Sequence, residues 1–78
     1  MSNSTKALLS DFGASLRRMR KVRTLSQEEL ALICGLDRTY ISGLERGKRN
    51  PTLKVMALIA SSLGTTPSKL LAGIKFNP

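Results

Sequence analysis

The sequence predicts an all-α fold, a compact bundle of five short helices, and three observations carry that reading. Val, Ile, Tyr and Phe never alternate with polar residues over a useful length, so strand signals are absent. Apolar residues recur instead at helical intervals, and the recurrences are separated by residues that start or stop helices: Ser26, Asp37, Thr52 and Thr66 as starts, Gly35, Gly47 and Gly64 as stops. The 78 residues suffice for a single domain, 1–78, ending in a short tail, 73–78. A domain of this size buries only about 60% of its unfolded surface, so association would add to a thin stability.

The first helix is expected from roughly Thr5 to Val22, with Leu8, Leu9, Phe12, Leu16 and Met19 on its inner face. Its end carries Arg17, Arg18, Arg20, Lys21 and Arg23, cations that suit the negative end of a helix dipole. Ser26-Gln27-Glu28-Glu29 reads as a capping box that opens a second helix, and Gly35 closes it after Cys34. Asp37 caps a third helix running to about Arg46, where Gly47 stops it. After the basic loop Lys48-Arg49-Asn50-Pro51, Thr52 caps a fourth helix ending at Leu63, and Thr66-Pro67 starts a fifth that ends near Leu71 or Ala72. The tail, with Ile74 and Phe76, is expected to be extended and to pack onto a surface.

Thirteen Lys and Arg stand against five Asp and Glu, a formal net charge of +8, while 41% hydrophobic residues still provide a core. Glu28, Glu29 and Asp37 fall where helices begin and are engaged by free amide groups there, so most of the positive charge is left to face solvent and a polyanion. A lipid surface is the poorer candidate: no apolar run approaches the roughly 20 residues of a membrane span, and the basic residues are spread over loops and helix ends. Met1 to Ser10 lacks the basic-then-apolar pattern of a signal peptide, which points to a cytoplasmic protein, associated with the nucleoid where the polyanion it binds is DNA. With one cysteine and no histidine there is no disulfide, no zinc-type cluster and no Ser–His or Cys–His pair; no metal, cofactor or small-molecule ligand is expected, and no catalysis. Cys34, among Leu30, Ile33 and Leu36, reads as a small buried hydrophobe.

Between Gln27 and Arg46 the apolar positions are Leu30, Ala31, Cys34, Leu36, Ile41 and Leu44, with Gly35 in the bend, and the small Ala31 permits a close crossing of the two helices. In this segment the chain resembles the phage-repressor-like family of regulators (XRE, or Cro/CI type), whose helix-turn-helix has Gln first, Ala fifth and Gly ninth. The resemblance covers roughly Phe12 to Leu71 and implies a lambda-repressor-like domain with helices two and three as the helix-turn-helix. Leu36-Asp37-Arg38-Thr39-Tyr40-Ile41-Ser42-Gly43 and Glu45-Arg46-Gly47-Lys48-Arg49-Asn50-Pro51 look most like the controller proteins of restriction-modification systems. That likeness implies a transcriptional regulator that binds palindromic double-stranded operator DNA as a homodimer.

Because Ile41 and Leu44 define the buried face of the third helix, Thr39, Ser42, Gly43 and Arg46 project away from it, flanked by Arg38 and Tyr40. Base contacts are expected from Arg38, with two donors for a guanine edge, and from Thr39, Tyr40 and Ser42; Gly43 would let the groove wall come close. Lys48, Arg49 and Asn50 would grip phosphates, Arg23 is a weaker phosphate candidate, and Arg46 could serve the backbone or the scaffold. The resemblance adds Gln27 as a phosphate contact at the start of helix two, and a structural pair of Arg20 with Glu45 across helices one and three. On the fourth helix, Leu53, Met56, Ile59, Ala60 and Leu63 are expected to face the bundle, leaving Val55, Leu58 and Ser62 on the other side; with Leu70, Leu71, Ile74 and Phe76 they form the candidate dimer interface. A single helix reads too few bases to find one genomic site, whereas a two-fold dimer places two such helices about 34 Å apart in successive major grooves. The rival readings are another small XRE-type repressor, or an antitoxin that acts partly through a protein partner, for which only weak, sequence-blind DNA binding is expected. A nuclease would need clustered free carboxylates, and none is available.

Overall fold

Five helices, α1 (Asn3–Val22), α2 (Gln27–Cys34), α3 (Arg38–Glu45), α4 (Leu53–Ser62) and α5 (Pro67–Leu70), make up the computed structural model, which describes residues 3–78. Met1 and Ser2 of the expected 1–78 domain lie outside the described residues. The helix starts follow from local chemistry. Ser26 Oγ accepts from the Glu29 amide at 3.0 Å while the Ser26 amide donates to Glu29 Oε1 at 2.9 Å, and that amide holds the Glu29 carboxyl below its ordinary pKa. Asp37, Thr52 and Thr66 accept from the amides of Thr39, Val55 and Lys69.

The helix ends follow one pattern. Past α2, Gly35 takes a left-handed conformation, so that its amide reaches the Leu32 carbonyl and the Leu36 amide reaches the Ala31 carbonyl; Gly47 does the same past α3. The end of α1 was not marked by a glycine, and there Thr24 adopts φ 56°, with the Thr24 amide on the Lys21 carbonyl and the Leu25 amide on the Arg20 carbonyl. A β-branched residue is held in a conformation that disfavours it because the turn into α2 requires that closure.

The core lies where α1, α2 and α3 meet α4 and α5: Leu16, Leu30, Ile41, Leu44, Ile59 and Leu70 have no exposed side-chain surface, and Phe12, Ala31, Cys34, Ala60 and Leu63 close around them. Gly13 allows the tightest approach. A Cβ there would stand 2.5 Å from the carbonyl oxygens of both Leu44 and Glu45, so α1 can cross the end of α3 only at this residue type. Ser15 adds a buried tie across the bundle, donating to the Leu70 carbonyl at 2.6 Å.

Several expected placements are corrected. α1 is already helical at Asn3, the first described residue, where a start near Thr5 was expected. Ile33 is 56% exposed and does not enclose Cys34, whose thiol instead donates to Ser62 Oγ at 3.3 Å. The inward arc of α4 centres between Ile59 and Leu63, so Val55 joins the edge of the core and Leu53, in the first turn, is left 71% exposed. Of the candidate interface residues, Leu70 is fully buried, Ile74 packs half-buried on the core, and Ser62 turns its hydroxyl inward to Cys34 and the Leu58 carbonyl. These side chains are already occupied by the chain's own core. Leu58, Leu71 and Phe76 remain exposed. Among the described residues no helix is long and apolar enough to cross a membrane.

Candidate nucleic-acid interface

The reading element is α3, and its orientation is over-determined. Ile41 and Leu44 are buried on one side, Asp37 caps the start, and Gly47 closes the end. At its last residue Glu45 is clamped: Arg20 Nε donates to Glu45 Oε2 at 2.6 Å and Arg20 Nη2 to Glu45 Oε1 at 2.9 Å, with side-chain exposures of 10% and 3%. The Glu45 hydrogen bond holds Arg20 in its charged form against the opposing effect of burial. The remaining Arg20 nitrogen donates to the Leu25 carbonyl at 2.7 Å, so one guanidinium ties α1, the turn before α2, and α3. This is the only ion pair among the described residues, so no other cation there is paired with a carboxylate.

On the opposite side of α3 the structure gathers the expected readers. Arg38 is exposed, and among the described residues none of its donors is engaged. The Thr39 hydroxyl donates to Asp37 Oδ1 at 3.0 Å, which leaves its methyl group and lone pairs for a base. Ser42 is half-buried between turns, and Tyr40 is half-buried with its ring packed on the core. Gly43 is buried, but by the Arg49 side chain that crosses it and not by being left open for a groove wall.

The phosphate candidates separate into two groups. Arg46, Lys48 and Asn50 are exposed around the end of α3, and Gln27 is half-buried at the start of α2, where Glu45 Oε1 accepts from its Nε2 at 3.2 Å. Gln27 Nε2 thus keeps one proton for another acceptor, beside the free amides of the α2 start. Arg23 has a structural tie as well: its Nε donates to the Leu63 carbonyl at 2.7 Å, capping the C-terminus of α4, while the Nη groups of this exposed side chain keep their donors for another acceptor. The sequence offered no signal for that contact, which spans 40 positions. A signal did exist for Gly13, since an isolated glycine inside a helical pattern points to a packing reason.

Comparison with known proteins agrees with this geometry. The helix-turn-helix family model HTH_3 matches residues 16–70. The control protein C.SmaI of Serratia marcescens is 47% identical over 57 residues, spanning 73% of this chain and 68% of that relative. Among solved structures, the restriction-modification controller protein C.AhdI of Aeromonas hydrophila superposes with a TM-score of 0.78 at 45% identity, covering 80% of this chain and 94% of that one. The controller protein C.Esp1396I, solved as a tetramer in complex with its natural 35-base-pair operator, gives a TM-score of 0.76 at 37% identity over 91% of this chain and 88% of that one. The chain therefore belongs to the helix-turn-helix family of transcriptional regulators, among the restriction-modification control proteins.

Proposed function

We propose that this protein binds a palindromic operator as a homodimer in the cytoplasm, on the DNA, and thereby sets transcription of the genes of a restriction-modification system. The observation that carries the reading is the pairing of a rigid α3 with an uncommitted Arg38 at its first residue: a forked donor held on a capped, clamped helix suits the two acceptors of a guanine edge. Thr39, Tyr40 and Ser42 supply the adjacent contacts, while Gln27, Arg46, Lys48 and Asn50 hold phosphates on either side. The operator occupied by C.Esp1396I supports the same mode of action here. Dimerisation rests on the apolar residues left uncovered on α4 and beyond it, Leu58, Leu71 and Phe76.

The test is a titration of DNA duplexes drawn from the region upstream of the protein's own gene, against scrambled duplexes. The wild type is expected to prefer one palindromic site at least a thousandfold, and Arg38→Ala to lose about 1–3 kcal/mol on that site while relaxing one base position per half-site. Equal binding of all duplexes by the wild type would overturn the reading.

A further inference from the structure

We infer that the outer side of the second half of α1 is a docking ledge for an acidic amphipathic helix of a partner protein, which enters an apolar hollow between Val22 and Leu63 flanked by Arg18 and Arg23. The inference goes beyond the operator reading and concerns the side of α1 turned away from α3.

That placement follows from Arg20. Gly13 and Arg20 mark the side of α1 that meets α3, the first against the Leu44 and Glu45 carbonyls and the second on the Glu45 carboxylate. Arg18 and Val22 each stand two positions from Arg20, about 200° around the helix, so both turn away from the reading element, and both are exposed. A duplex held by α3 leaves them open.

Val22 is 68% exposed, an apolar side chain left uncovered at the last residue of α1. It separates two hollows. One, of about 250 Å³, is lined by the apolar Met19, Val22 and Leu63 with Arg18 and Arg23 beside them. The other, wider and of about 530 Å³, runs from Val22 back to Ala14, with Arg17, Arg18 and Lys21 around it. No carboxylate lines either hollow. The Arg23 rim is held in place: its Nε donates to the Leu63 carbonyl at 2.7 Å, and a Cβ on Gly64 would stand 3.9 Å from its Nη2. The guanidinium is therefore seated over the end of α4 while its Nη groups keep their donors.

Charge and shape together select the occupant. Cations alone would suit nucleic acid, but a phosphate backbone brings no apolar group to a lining of Met19, Val22 and Leu63. An amphipathic helix presents apolar side chains every three or four residues with other side chains alongside them. One apolar side chain fills the hollow beside Val22, and carboxylates on the flanks of the same helix meet Arg18 and Arg23. The apolar contact then supplies affinity at the centre, and the charges at the rim fix the partner's sign and orientation.

The experiment titrates the full, isotope-labelled chain at physiological salt with a synthetic helical peptide of about 15 residues, leucine on one face and glutamate on its flanks, and follows the amide chemical shifts. The largest shifts are expected at Met19, Val22, Arg23 and Leu63, and the same map is expected with the chain saturated by a DNA duplex. A peptide with serine in place of leucine, and one with lysine in place of glutamate, are each expected to bind at least roughly tenfold more weakly. Arg18→Ala and Val22→Ser, both at exposed positions that fold without them, are each expected to weaken the leucine peptide at least about threefold and to bind duplex DNA within about twofold of wild type. A serine peptide that binds as tightly as the leucine peptide, or shifts that centre on α3 and ignore both variants, would reduce the contact to a general attraction of charges and end the inference. Shifts at Val22 raised by excess duplex, and not by the peptide, would assign the ledge to nucleic acid and end it as well.

Discussion

Cutting the clamp between α1 and α3 is the perturbation whose size the structure fixes best. Arg20 and Glu45 make two charge-assisted hydrogen bonds, at 2.6 and 2.9 Å, with side chains 10% and 3% exposed. Arg20→Ala would leave the Glu45 carboxylate out of water with only the Gln27 amide at 3.2 Å, and the Leu25 carbonyl without its guanidinium donor. Glu45→Ala would leave a guanidinium with that carbonyl alone. Removing one member of such a pair costs about 3–5 kcal/mol, since the remaining charge is uncompensated. A 78-residue domain has in all about 4–12 kcal/mol at ordinary per-residue stabilities, so either single variant should sit close to the unfolding threshold. The double variant removes both charges and is expected to lose less than the sum, by about 2 kcal/mol. Urea unfolding of the four proteins, followed by circular dichroism at low temperature, measures the cycle. Single variants within about 1 kcal/mol of wild type, with additive effects, would refute the argument that this pair fixes α3.

Thr24→Gly relieves the left-handed strain at the end of α1 and is expected to stabilise by about 1 kcal/mol, a rise in melting temperature of about 4–8 °C; a lower melting temperature would count against the strain. Gly13→Ala gains about 1 kcal/mol of helix propensity but drives a methyl group to 2.5 Å from two backbone carbonyl oxygens, where overpacking costs about 1–3 kcal/mol or more. The expected net is destabilisation, and a variant melting at or above wild type would show that α1 and α3 can move apart. Leu58→Asp places a charge on an apolar side chain that is 39% exposed, and sedimentation equilibrium at micromolar concentration should find a folded monomer where the wild type is a dimer. A variant that still dimerises would place the interface elsewhere.

The sequence by itself determined the helices and their junctions, because each is decided within about four residues. Ser26 with Glu29, Asp37 with Thr39 and Thr52 with Val55 are local hydrogen bonds, and Gly35 and Gly47 are local backbone requirements. The direction of α3 was legible for the same reason, since Ile41 and Leu44 alone set its buried side. What only the tertiary structure decided is where long side chains end and which apolar residues find cover. Arg23 crosses to the Leu63 carbonyl, Gln27 is held by Glu45, and Arg49 folds into the notch of Gly43; each depends on a neighbour that no local pattern specifies. Helical periodicity gave a direction for Ile33, Leu53 and Leu70 but not a partner in that direction. Leu70 meets the assembled core and disappears, whereas Leu53, in the first turn of α4, finds no element to cover it and stays exposed.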